Sequence, residues 1–201
     1  LYTVTQNVCM PRMINNICAF GPRDNMIFDI LIKNVAEGRD ILILSDRRQH
    51  LTNIFEHVEE HNIGSVGYYV GGMKPAALRD TTTKQIILGT FSMASEGMDI
   101  PKLNTIILAS PKSDIVQSVG RILRQKAEDR KHIPKIIDIM DDFSTFSKQA
   151  TKRQAYYKKC KYGIQIIDMD GEIETIDYKK KKSKKTKPKH IDYSKIDECI
   201  L

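Results

Sequence analysis

Several features that would fix a function class at once are missing from this chain. No run of about 18 apolar residues occurs, so nothing in it reads as a membrane-spanning helix. Cys9, Cys18, Cys160 and Cys199 stand far apart without a C-x-x-C pair. That spacing argues against a zinc ribbon or a disulfide framework and for a reducing compartment. Neither an initiator Met nor a charged-then-apolar signal region stands at Leu1-Tyr2-Thr3-Val4-Thr5, and the chain reads as a fragment of a longer protein. Internal repeats are absent too.

What is present suffices for one ordinary domain and a small appendage: 201 residues, of which 41% are hydrophobic and 28% charged. The net charge of +7 invites a nucleic-acid reading, but eight lysines fall between Lys179 and Lys189 with no acid among them, leaving −1 for the remainder. The excess therefore belongs to a tail. Such a run buries no apolar surface and is expected to be disordered, adding salt-dependent phosphate affinity without sequence preference.

Apolar runs of strand length alternate with amphipathic stretches, which predicts an α/β layer fold with a parallel sheet. The strands fall at Asp40 to Ser45, Ser65 to Val70, Gln85 to Leu88, Thr105 to Ala109 and Lys135 to Met140. A helix from about Arg23 to Glu37 stops at Gly38, and Leu51, Ile54, Phe55 and Val58 share one face of another. Asp114 to Leu123 reads as a helix that Ser113 could cap. Beyond Asp142 the character changes: Phe143 to Tyr162 is helical and basic, and a hairpin is expected around Asp170-Gly171, a favoured type I′ pair. The expected divisions are a lead-in segment 1–22, an α/β domain 23–147, a helix-and-hairpin extension 148–178 and a lysine tail 179–201.

The densest chemistry is Gln117, Gly120, Arg121 and Arg124, spelling Q-x-x-G-R-x-x-R. Arginines at i, i+3 lie on one helix face, where two guanidinium forks can meet one polyphosphate bidentately. A competing pattern, His57-Val58-Glu59-Glu60-His61, satisfies H-x-x-E-H, in which two histidines one turn apart could bind zinc beside a glutamate base. It also needs a third ligand to which nothing in the sequence points. The same stretch reads as the polar end of the helix bearing Leu51, Ile54, Phe55 and Val58. Tyr68, Tyr69, Tyr156 and Tyr157 could stack on bases, although packing is the stronger account of most of them.

Taken together, residues 23 to 142 resemble the second RecA-like domain of superfamily 2 helicases. Ile41 to Leu44 followed by Ser45-Asp46-Arg47-Arg48 resembles motif IV, Tyr69-Val70-Gly71-Gly72 the loop after the next strand, Gly89 to Pro101 motif V, and Gln117 to Arg124 motif VI. Thr90 precedes Gly97 by seven positions, one more than in DEAD-box proteins. That spacing, with the wording of Gly71-Gly72-Met73-Lys74 and Pro111-Lys112-Ser113-Asp114, is similar to the transcript-release helicases of large cytoplasmic DNA viruses and to phage recombination helicases.

The resemblance implies a RecA-like three-layer sandwich with a mostly parallel sheet, forming the second half of an ATP-dependent DNA or RNA helicase or translocase. ATP and Mg²⁺ would be held mainly by a first RecA-like domain, since this chain contains neither G-x-x-x-x-G-K-[ST] nor D-E-x-[DH]. The fragment is accordingly expected to be inactive alone. Arg124 would be the finger on the γ-phosphoryl group and Arg121 its companion, with Gln117, Gly120, Gly97 and Asp99 at the nucleotide. Ser45, Arg47, Gly71 and Thr90 would contact the nucleic-acid backbone. Transcription machinery is a further implied partner, and no membrane is. The other reading is a non-motor RecA-like module that docks nucleic acid or a protein partner.

Overall fold

A computed structural model describes residues 9–96, 98–122, 130–168 and 171–176. They form α1 (Met10–Ile17), α2 (Gly21–Ala36), β1 (Ile41–Leu44), α3 (Arg48–Glu60), β2 (Val66–Tyr69), α4 (Pro75–Thr81), β3 (Ile86–Gly89), α5 (Phe91–Glu96), β4 (Thr105–Leu108), α6 (Val116–Ile122), β5 (Lys135–Asp138), α7 (Ser144–Lys159), β6 (Ile164–Ile167) and β7 (Ile173–Ile176). The lysine tail lies outside these residues. Among the described residues, no helix is long and apolar enough to cross a membrane.

β1 to β5 form one sheet in the order β2-β3-β1-β4-β5, and every pairing is parallel. A parallel sheet is covered on both faces, which is why Ile-Leu-Ile-Leu in β1 and Thr-Ile-Ile-Leu in β4 are buried at every position. Ile41, Ile43, Ile86, Leu88 and Ile107 pack with Ile27 and Leu31 of α2 and Leu51, Ile54 and Val58 of α3. Leu42, Leu44, Ile87, Ile106 and Leu108 alternate to the other face and are equally buried. The connection through α3 runs outward from β1 to β2, whereas those through α4, α5 and α6 run back the other way. Right-handed crossovers therefore place α3 on one face and α4 to α6 on the opposite one.

The expected strands and the helices α2, α3, α6 and α7 are all present. Helices α1, α4 and α5 carry too short an apolar stripe to stand out in the sequence. The side chain meeting the first turn of α6 is Asp114, whose carboxylate accepts the Val116 N–H at 3.3 Å, where Ser113 was expected to cap. His57 stacks on Phe28 at 3.6 Å and on His61 at 4.2 Å, and burial holds its imidazole below the ordinary range. The H-x-x-E-H histidines thus stack their rings as packing groups, as the helical reading of that stretch has it.

The chain divides into two compact units, Leu1–Tyr156 and Tyr157–Leu201, the division falling inside α7. Within the second, β6 and β7 pair antiparallel from Ile164↔Ile176 to Ile167↔Ile173. The hairpin is closed by Asp168 N–H on Glu172 O (3.1 Å) and Gly171 N–H on Asp168 O (3.1 Å), with Gly171 at φ +83. The connection is therefore longer than the two-residue turn expected from Asp170-Gly171, with Gly171 at a left-handed position after the turn. Asp170 itself lies outside the described residues.

Candidate functional site

Open parallel sheets bind ligands beyond the carboxyl ends of their strands, where neighbouring connections diverge. Here that point is β1, flanked by β3 and β4, and a cleft of about 250 Å³ lies there. Asp46, following β1, lines it together with Phe91, Ser92 and Ser95 of α5, Lys112 and Asp114 of the loop after β4, and Gln117 of α6. Lys112 Nζ bonds Asp46 Oδ2 at 2.9 Å and lies 5.3 Å from the Phe91 ring centroid.

Ser45 does not present itself to a ligand. It is 0% exposed, and its hydroxyl lies 3.1 Å from His50 Nδ1 while accepting the Arg47 N–H at 3.2 Å. His50 Nε2 lies 3.0 Å from Asp24 Oδ1. One tautomer satisfies the series: Nε2–H donates to Asp24, Ser45 donates to Nδ1, and Arg47 donates to Ser45. In this arrangement Ser45 fixes the turn after β1. Arg47 is half-buried, and its guanidinium bonds Asn15 Oδ1 and the Pro11 carbonyl of α1 and the Asp46 carbonyl. The fold thus uses Arg47 to hold α1.

Gly71 and Thr90 lie at the ends of the adjacent strands β2 and β3. Gly71 receives Arg48 Nη2 on its carbonyl at 2.7 Å, and the next residue, Gly72, adopts φ +87, a backbone that L side chains rarely take. Thr90 is half-buried and its Oγ1 accepts the Met93 N–H at 3.4 Å, beginning α5. Gly71, Thr90 and the β1 turn therefore follow one another along the sheet edge, β2 to β3 to β1.

On the other side, Gln117 and Gly120 are exposed on α6, and a Cβ added to Gly120 would meet nothing within 4 Å. Arg121 follows on the same helix, its backbone described and its side chain outside the description. Arg124 and Gly97 lie outside the described residues. Asp99 is exposed in the segment after α5. Motif order alone did not reveal the buried arginines Arg23 and Arg153, which pair with Asp141 and Asp138 at separations of 118 and 15 residues. The available signal was a carboxylate placed at the end of a half-buried strand, where a charge needs a partner.

Residues 23–126 match the family described as helicase conserved C-terminal domain. The chain belongs to that family. A protein of Acanthamoeba polyphaga mimivirus named as an ATP-dependent RNA helicase is 43% identical over 157 residues, covering 77% of this chain and 30% of that protein. An African swine fever virus protein of similar name is 33% identical over 103 residues, covering 51% of this chain and 20% of that one. The chain thus spans a third or less of the length of these relatives.

Among solved structures, UvsW of T4 superposes with a TM-score of 0.63 at 19% identity, covering 77% of this chain and 36% of its own. The C-terminal part of the Fun30 ATPase domain does so at 0.53 and 15%, covering 64% and 44%. At these identities the likeness is one of fold: this helicase C-terminal domain is a RecA-like α/β sandwich around a parallel sheet. Among its described residues, no three His, Cys, Asp or Glu side chains are grouped so as to hold a metal.

Proposed function

We propose that this domain is the second motor half of an ATP-dependent nucleic-acid helicase or translocase. ATP would bind between it and a first RecA-like domain of the same protein, which would also carry Mg²⁺. The observation that carries the reading is the exposed part of α6: Gln117 and Gly120 are exposed on this short helix, and a Cβ added at Gly120 would meet nothing within 4 Å. Gly120 leaves room for a second surface to approach, and the arginines that follow supply the charge a polyphosphate needs.

In this mechanism Arg124 and Arg121 stabilise charge developing on the transferred phosphoryl group. A finger supplied across an interface is worth about 10³ to 10⁵ in rate. Gln117 orients beside the phosphates, and Gly97 with Asp99 faces the nucleotide edge. Thr90 and the Gly71-Gly72 loop grip the strand backbone without reading bases, while Ser45 and Arg47 set the turn between them. The resemblance to viral transcript-release helicases favours a role in viral transcription, with repair or recombination as the alternative process. In the full-length protein, Arg124→Ala is expected to abolish nucleic-acid-stimulated ATP hydrolysis while ATP binding stays measurable. Near-normal turnover would sink the proposal.

A further inference from the structure

Two buried arginines hold the loop that leads into α6, and they hold it alike. Arg23, in the first turn of α2, sets Nε and Nη2 on the two oxygens of Asp141 at 2.8 and 3.1 Å and gives Nη1 to the Ala109 carbonyl at 2.6 Å. Arg153, in α7, sets Nε on Asp138 Oδ2 and Nη2 on Oδ1, both at 2.8 Å, and gives Nη1 to the Lys112 carbonyl at 2.5 Å. They are 6% and 3% exposed. Each spends its fork on a carboxylate from the end of the β5 region and its remaining nitrogen on a backbone carbonyl.

Ala109 and Lys112 bracket the turn after β4, and α6 begins four residues beyond Lys112. Between them Ser110 Oγ accepts the Asp46 N–H at 3.0 Å, and Lys112 itself reaches Asp46, so the turn is tied to β1 as well. A bond to a carbonyl fixes main chain rather than a side chain, and main chain sets where the next helix starts. The cleft-lining Gln117 and the α6 backbone as far as Ile122 inherit that position.

We propose that Arg153 is a positioning residue for the nucleotide-facing helix, so that α7 as far as Arg153 is a working part of the motor and not an appendage. This rests on the function proposed above. A misplacement of about 1 Å can cost about 10²-fold in rate even when the altered residue is far from the chemistry. Lysine can pair with Asp138, but its single ammonium cannot reproduce a planar fork and a carbonyl bond together.

The test uses the full-length protein and measures nucleic-acid-stimulated ATP hydrolysis together with melting temperature. Arg153→Lys is expected to lower kcat about ten- to a hundredfold with KM for ATP changed less than about twofold. On the residual hydrolysis left by Arg124→Ala, followed under single-turnover conditions, the same change should cost less than about twofold, because the group it positions is gone. Should Arg153→Lys fail to fold, Asp138→Asn, which keeps the shape and one acceptor oxygen, reads the same quantities. Unchanged kcat in a folded variant, or an equal loss with and without Arg124, overturns the positioning role. Wild-type turnover in Arg124→Ala overturns instead the motor reading on which it rests.

Discussion

The imidazole of His50 lies 3.0 Å from the carboxylate of Asp24, joining α3 to α2 beneath the carboxyl end of β1. At 1% exposure neither ring nitrogen has water as an alternative partner, and the other one faces Ser45. The arrangement stabilises the turn that carries Asp46 and Arg47 into the site.

Replacing that ring removes the donor to the Asp24 carboxylate and the acceptor of the Ser45 hydroxyl proton, and opens a void. His50→Ala is therefore expected to lower unfolding stability by about 3 kcal/mol, the sum of unmet hydrogen bonding and lost packing. His50→Gln, which can reach one partner, should retain part of it. Urea unfolding midpoints of the two variants and the parent check the ordering.

Lys112 and Asp46 make the opposite case. Their side chains are 36% and 28% exposed, so solvent screens most of the attraction. Lys112→Met should change stability by less than about 1 kcal/mol. That difference should shrink further in 1 M salt, where the screening length is about 3 Å. Paired thermal melts at low and high salt decide it.

Gly120 separates folding from function. With nothing within 4 Å of an added Cβ, Gly120→Ala meets no clash inside the domain. It should stabilise α6 by about 0.5 to 1 kcal/mol, raising the melting temperature of the isolated chain by a few degrees. In the full-length protein the same methyl group should lower stimulated ATP hydrolysis if, as proposed, that open space receives the first RecA-like domain. A rise in melting temperature with undiminished hydrolysis would show that no surface comes close there.

Cys18 supplies a pH dependence whose sign is fixed. Burial pushes its thiol up from 9.0 to about 11, against the opposing influence of the Arg23 guanidinium. The folded form keeps its proton in the interval where the unfolded chain loses it. The contribution is complete below pH 9.0 and is lost as pH rises toward about 11. Stability should fall across that window in the parent and fall less in Cys18→Ala. At neutral pH the exposed Cys160 should alkylate rapidly, and the buried Cys18 only on unfolding.

Much of the fold was legible because its signals are local. Short apolar runs bounded by polar segments located all five strands of the parallel sheet, and apolar spacing in Leu51, Ile54 and Val58 located α3. Helices as short as α5, six residues inside motif V, carry too little periodicity to be seen that way. The hairpin turn was misjudged for a related reason: Asp168 and Glu172 close the loop across a register that the Asp-Gly pair alone does not specify.

By itself the sequence determined that this is a parallel α/β layer, that the motif order resembles a helicase second domain, and that the charge excess lies in the lysine tail. Composition and periodicity are sums over neighbours along the chain. Only the tertiary structure decided that Ser45 is buried against His50, that Arg47 is engaged by α1, and that Arg23 and Arg153 hold the turn before α6. Those roles depend on which groups meet after the sheet has ordered itself β2-β3-β1-β4-β5. A buried charge takes the partner that packing brings within reach, and separations as long as that between Arg23 and Asp141 leave no trace in local pattern.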